Sequence, residues 1–128
     1  MRKKIIIALG SNYEPQLHIE KTKEKLERLL PGIVFSHNLW TQPIGIVSDR
    51  FVNALALAYT SFSKEHLEQL LKQVERECGR CAEEKKQGKI RIDLDLMLYG
   101  SERLHLQDWN REYIFTLLKD FDEDLLEM

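Results

Sequence analysis

Apolar and polar positions alternate with two different periods along this chain, and each change of period marks an element. Ile5 to Leu9 is an unbroken apolar run of strand length, ended by Gly10-Ser11-Asn12. From Pro15 the spacing widens, and Leu17, Leu26, Leu29 and Leu30 give the stripe of a helix that Pro31-Gly32 stops. β-Branched and aromatic residues over Ile33 to Leu39 and Phe51 to Tyr59 predict two strands, joined through Thr41-Gln42-Pro43-Ile44-Gly45. Ser63 then caps a helix whose Leu67, Leu70, Leu71, Val74 and Cys78 recur at three and four residues, as far as Gly79. Strict alternation returns between Ile90 and Tyr99. Ile90, Ile92, Leu94, Leu96 and Leu98 face one side, and Arg91, Asp93, Asp95, Met97 and Tyr99 the other. A last helix is expected from Trp109 to about Lys119, with Tyr113, Ile114, Leu117 and Leu118 on its stripe, and the acidic tail over 120–128 is expected to fray.

The order βαββαβ predicts an α+β, ferredoxin-like sandwich: an antiparallel sheet with its two main helices on one face and the other face free for a ligand. No repeat, low-complexity tract or linker divides residues 1–128, so a single domain is expected. Composition agrees, with 43% hydrophobic and 31% charged residues over 128 positions. The 19 Lys+Arg against 21 Asp+Glu leave a net charge of −2 without a block of five or more residues of like sign, which argues against a surface built mainly for nucleic acid or an anionic membrane. No apolar run nears the roughly 18 residues of a membrane span, and Met1 to Ile7 lacks the long apolar core and cleavage site of a signal peptide. A cytoplasmic protein is expected.

Asp93 and Asp95, two residues apart on a strand, share a face about 7 Å apart. Their charges repel unless a cation lies between them. Magnesium arriving with a polyphosphate suits such a pair, because it completes its octahedral shell with one or two carboxylates plus phosphate oxygens. The plainer alternative is a solvated strand face on which Arg91 pairs with Asp93. Cys78-Gly79-Arg80-Cys81 is no zinc site, since a second ligand pair is lacking, and it stands at the wrong end of a helix for a thioredoxin-like thiolate. Cys78 is expected in the core. His18, His37 and His66 form no triad or metal set and are expected at the surface or in loops. Trp40 and Trp109 are read as packing residues, with Trp40 placed beside Thr41 to wall a ligand pocket.

Five segments in order carry a resemblance. Gly10-Ser11-Asn12, Thr41-Gln42-Pro43-Ile44-Gly45, Phe51-Val52-Asn53-Ala54, Glu75 with Gly79-Arg80, and Ile92-Asp93-Leu94-Asp95-Leu96-Met97-Leu98-Tyr99-Gly100 together resemble the 6-hydroxymethyl-7,8-dihydropterin pyrophosphokinases, over roughly Lys4 to Gly100. That resemblance implies the ferredoxin-like fold and transfer of pyrophosphate from ATP to the pterin alcohol, giving AMP and the pterin diphosphate for folate biosynthesis. It implies two Mg2+ ions on Asp93 and Asp95, with Arg80 as a further catalytic residue. Glu75, Arg80, Leu96, His105 and Arg111 are the implied ATP contacts, and Thr41, Pro43, Ile44, Phe51, Asn53 and Tyr113 the implied pterin pocket. The implied partners are small molecules, for a monomer or small homo-oligomer.

The chain departs from the family pattern between the second helix and the aspartate strand. Ala82, Gln87 and Ile90 stand where the family has an Arg, an aromatic and a second Arg, leaving Lys85, Lys86, Lys89 and Arg91 to supply charge. The stretch from Gly100 to His105 is also short. A catalytically weak relative that binds nucleotide, pterin or a protein partner is the alternative function.

Overall fold

Lys3–Ser11 (β1) forms the centre of a six-stranded antiparallel sheet in the computed structural model, which describes residues 2–42 and 50–121. On one side β1 pairs with Phe51–Thr60 (β4), and on the other with Asp93–Tyr99 (β5). Beyond β4 lie Val34–Phe35 (β2) and Leu39–Thr41 (β3), and Glu102–Arg103 (β6) pairs with β5. Gly100 makes that last turn at a φ of +63°, a conformation that costs glycine little. The result is the ferredoxin-like arrangement the element order implies.

Two helices cover one face. Pro15–Leu29 (α1) starts on Pro15, whose missing N–H is one the first turn would leave unpaired, and buries His18, Ile19, Thr22 and Leu26. Leu17 does not belong to that stripe. Lying two residues before Ile19, it falls on the opposite side of the helix and is 58% exposed. His18 is likewise no surface histidine: it is buried, and its Nδ1 lies 2.7 Å from the Tyr13 carbonyl. Lys64–Glu77 (α2) begins at Ser63, whose Oγ accepts from the His66 N–H at 3.1 Å, and buries Leu67, Leu71 and Val74. Cys78 continues that stripe into the core, 3.5 Å from Thr22 Oγ1, while Cys81 is exposed.

The sheet corrects three expectations. A single strand over Ile33 to Leu39 splits into β2 and β3 because Ser36 takes over the ladder at Leu55: its N–H donates to the Leu55 carbonyl and its Oγ accepts the Leu55 N–H, both at 2.8 Å. The alternation of β5 breaks at a bulge, since Ile6 pairs with Leu98 but Ile7 with Leu96. Met97 is the extra residue. Leu98 therefore joins Met97 in one apolar cluster, while Leu94, Leu96 and Tyr99 meet the helices. Ile90 and Ile92 precede the strand and are buried without belonging to it.

The loop before β5 holds a short helix that the sequence reading leaves out, Ala82–Lys86 (α3), with Glu83 and Glu84 at its N-terminus and Lys85 and Lys86 at its C-terminus. The expected helix from Trp109 is interrupted at Arg111, whose ψ of 139° is extended, so a 3-10 turn over Asp108–Asn110 precedes Glu112–Leu118 (α4). The expected fraying of the acidic tail falls mainly on residues 122–128, which lie outside the described residues, while the start of the tail is docked. Phe121 is buried, and the Asp120 carboxylate accepts from the His37 backbone N–H at 2.6 Å and lies as close to its Nδ1.

The second face is not entirely free. Ile114, Leu117 and Phe121 pack on Ile6, Leu55, Leu57, Met97 and Leu98, so α4 closes one half of it. The other half stays open. Among the described residues no helix is long and apolar enough to cross a membrane.

Candidate active site

Side chains on the open face shrink along β1 from Ile6 through Ala8 to Gly10. Gly10 stands in register with Asn53 on β4 and Asp93 on β5, and Ala8 with Leu55 and Asp95. A Cβ at Gly10 would come within 3.1 Å of Asn53 Oδ1 and 3.7 Å of Phe51 Cδ1, so a larger residue there would have to push the Asn53 amide back. Above this floor lies a cavity of about 180 Å³, walled by Thr41, Phe51 and Asn53 on one side, by Asp93 and Asp95 on the other, and roofed by Asp108, Arg111 and Tyr113.

Asn53 Nδ2 donates to the Thr41 hydroxyl, which fixes the amide and turns its oxygen toward Gly10. Arg111 Nε donates to Asp108 at 2.9 Å. Burial, then the Asp108 charge, raise the Tyr113 hydroxyl above its ordinary pKa and keep it a donor.

A second cavity, of about 230 Å³, opens on the α2 side of the same strand. It is lined by Leu71, Lys72, Glu75, Arg80, Leu96 and His105, and again by Asp93 and Asp95. The two carboxylates are thus the divide between the cavities.

Asp93 does not pair with Arg91. Arg80 Nη1 donates to Asp93 Oδ1 and to Glu75 Oε2, both at 2.8 Å, while Glu75 Oε2 also accepts the Leu94 N–H at 2.8 Å. Arg80 follows Gly79, whose φ of +92° ends α2 and turns the next side chain back along β5. Arg91 instead forks onto Glu84, at 2.8 and 2.9 Å. Asp95 has a weaker partner, His105 Nε2 at 3.8 Å. Burial, and next the charge of Asp93, push the Asp95 carboxyl up to about 6. Burial raises Glu75 as well.

Asp95 is buried beside a like charge and only distantly countered by His105, since Arg80 is taken up by Asp93 and Glu75, and the donor set fits a hard divalent cation. Among the described residues no group of three or more His, Cys, Asp or Glu forms a cage. A cation on Asp93 and Asp95 would therefore draw its other oxygens from a ligand, as magnesium does with phosphates.

Glu75, Arg80, Leu96 and His105, expected with the nucleotide, line the second cavity. Thr41, Phe51, Asn53 and Tyr113, expected with the pterin, line the first. Arg111 faces the first cavity rather than the nucleotide group. Pro43 and Ile44 lie outside the described residues. Among the described residues Trp40 is not part of the lining of either cavity; it is half exposed, with Arg50 above its ring at 5.2 Å. Among the contributors that escape sequence reasoning are Ala8, Asp108 and Lys72. Ala8 is signalled only by the decrease in size along β1, and Asp108 only by its three-residue spacing to Arg111.

Asn12 does structural work at the rim. Its Nδ2 donates to the Gly88 carbonyl at 2.7 Å, its Oδ1 accepts the Ile90 N–H at 2.6 Å, and its own N–H reaches the Ile90 carbonyl at 3.0 Å. The loop is thereby sewn to the end of β1.

Fold and site define a ferredoxin-like protein that sets a carboxylate pair between two cavities. The family model described as 7,8-dihydro-6-hydroxymethylpterin-pyrophosphokinase (HPPK) matches residues 6–123, and the chain belongs to this family. It is 31% identical over 127 residues to a mitochondrial folate synthesis bifunctional protein of Pisum sativum, and 28% identical over 127 residues to a folate synthesis bifunctional protein of Arabidopsis thaliana. Each match covers 91% of this chain, which spans only about a quarter of those relatives, 24% and 26%. The 2-amino-4-hydroxy-6-hydroxymethyldihydropteridine pyrophosphokinase of Aquifex aeolicus is 31% identical over 123 residues, covering 91% of this chain and 74% of that protein.

Proposed function

We propose that the chain transfers pyrophosphate from ATP to 6-hydroxymethyl-7,8-dihydropterin, releasing AMP, in folate biosynthesis. One observation carries this reading: Asp93 and Asp95 line both cavities at once. A donor bound on the α2 side and an acceptor bound over Gly10 meet only there.

The family resemblance and the donor set support Mg2+ on Asp93 and Asp95, two ions by the family pattern, where it would neutralise phosphate charge and orient the chain of phosphates. The protein's own residues do the remaining work. Arg80 holds Asp93 in place, and Glu75 fixes Arg80 and the Leu94 amide together. Asn53, Thr41 and Tyr113 offer donors and acceptors to a pterin edge, and Phe51 offers a ring to stack on. Holding an alcohol and a phosphate in line supplies much of the barrier reduction in such transfers, since little covalent work is asked of the protein. A cytoplasmic setting is part of the proposal, suited to two unpaired cysteines.

The test is AMP production from ATP, Mg2+ and the dihydropterin by the purified protein, with Asp93→Ala/Asp95→Ala as control. Pterin-dependent AMP that disappears in the folded double variant is expected. A second reading, a catalytically weak binder, draws on the loop: Ile90 is buried where the family has an Arg, and Arg91 is occupied by Glu84. Pterin binding without AMP, at saturating Mg-ATP, would replace the first reading with the second.

A further inference from the structure

The cations near the donor side fall into two groups, and the geometry separates them. Lys89 and Arg91 lie over the ring of Tyr13, at 5.4 and 5.1 Å, and Arg91 has two of its donors on Glu84. Asn12 pins the intervening Ile90 on both its backbone groups. These cations face the end of β1 and line no cavity at the carboxylates.

Lys72, Arg76 and Lys85 are placed differently. With Arg80 they surround a third cavity, of about 290 Å³, that lies between α2 and α3. It shares Lys72, Glu75 and Arg80 with the donor-side cavity, so the two form one trough leading away from Asp93 and Asp95. None of Lys72, Arg76 and Lys85 has a side-chain hydrogen bond or ion pair among the described residues, whereas Arg80 is engaged by Glu75 and Asp93. Asp93 and Asp95 thus stand where a cation would bind, and beyond them Lys72, Arg76, Arg80 and Lys85 outnumber Glu68 and Glu75, the charge order of a metal-bound polyphosphate read from the other side.

We propose that Lys72 and Lys85 are the side chains that grip the phosphates of the nucleoside triphosphate, and that Arg91 is a positioning residue which holds α3, and Lys85 with it, against Tyr13. This rests on the reading of ATP as the donor. Lys72 is the key member because it alone of the unpaired cations borders both parts of the trough. The family's loop arginines are thus replaced by ammonium groups from two helices, which bind as point charges and do not fork.

The test is calorimetric titration with α,β-methylene-ATP in the presence of Mg2+, at low and high KCl, with thermal melting as a check on folding. Lys72→Met and Lys85→Met are each expected to weaken the analogue about tenfold and to flatten its salt dependence, while Lys72→Arg keeps the affinity within about twofold. Arg91→Met is expected to speed amide exchange over 82–90 and to weaken the analogue less than Lys72→Met. Wild-type affinity and salt dependence in both lysine variants would overturn the proposal, as would a loss in Arg91→Met exceeding both. Lysine-dependent binding in a protein that makes no AMP would uphold the grip while removing the reaction. No binding by the wild type would overturn both.

Discussion

The two faces of the sheet are built from the same strands, yet they behave as different materials. On the helix side β1 presents Ile5, Ile7 and Leu9, all essentially without solvent contact, to α1 and α2. On the other side the same strand presents Ile6, then Ala8, then Gly10, and the neighbouring positions change from Leu57 to Asn53 and from Leu98 to Asp93. On the helix side β1 keeps large apolar side chains along its length, opposite Ala58, Ala56 and Ala54 of β4, and the face is closed. The second begins that way under α4 and ends small and polar. The cavity arises where the side chains of the central strand become too small to fill the space, so the candidate active site occupies volume that the core leaves empty rather than a loop added above it.

This contrast can be broken first at the carboxylates. Asp95→Asn is expected to lower AMP formation at least about a hundredfold, the scale for losing one charge-stabilising group at a reaction centre. The same change is expected to raise the melting temperature at pH 7. The sign follows from the carboxyl value of about 6 against 3.8 for an ordinary Asp. A folded-state value raised in this way gives stability that is present at low pH and lost as pH rises from about 4 through 6. Activity and stability therefore move in opposite directions on the open face, and a lower melting temperature in Asp95→Asn would contradict that picture.

On the closed face the converse holds. Ile7→Ala is expected to cost about 2–5 kcal/mol in denaturant titrations, since its side chain is fully buried between sheet and helices, with the KM for the pterin unchanged in protein that remains folded. A smaller effect is expected from Gly10→Ala. The added methyl must displace Asn53 from 3.1 Å, raising the pterin KM about tenfold while ATP binding is retained. The dependence on pH is gradual. Mg2+ affinity of the nucleotide-free protein is expected to fall by up to about tenfold per unit below about pH 6, where Asp95 takes up its proton, and Asp95→Asn is expected to abolish the trend.

Much of this arrangement is legible in the residues. The i, i+2 spacing of Asp93 and Asp95 places both on one face, and Ser63 and Gly79 bracket α2, which brings Arg80 back to the strand. The missed features depend on contacts between distant parts of the chain. The bulge at Met97 is a matter of register with Ile6 and Ile7, and no pattern within β5 records it. The split between β2 and β3 is decided by one hydroxyl meeting Leu55. Arg91 and Arg80 each have an acidic neighbour close in sequence, but which of them reaches Asp93 is settled by the turn at Gly79 and the formation of α3. The half-covered face follows from α4 folding back over Ile6 and Leu55, a docking that its short apolar stripe permits without announcing its target.

The central place of β1 also sets a clock. Ile7 must find Ala56 on one side and Leu96 on the other, partners 49 and 89 residues further along the chain. With synthesis at about 5–20 residues per second, the strand waits roughly 4–18 seconds for its second neighbour after it has been made. During that interval Ile5, Ile6 and Ile7 form an apolar segment with one open edge, the kind of surface that joins nascent chains to one another. The residues that make the finished sheet most secure are thus the ones most exposed to error while it is being assembled, and conditions that slow translation should be felt there before they are felt at the active site.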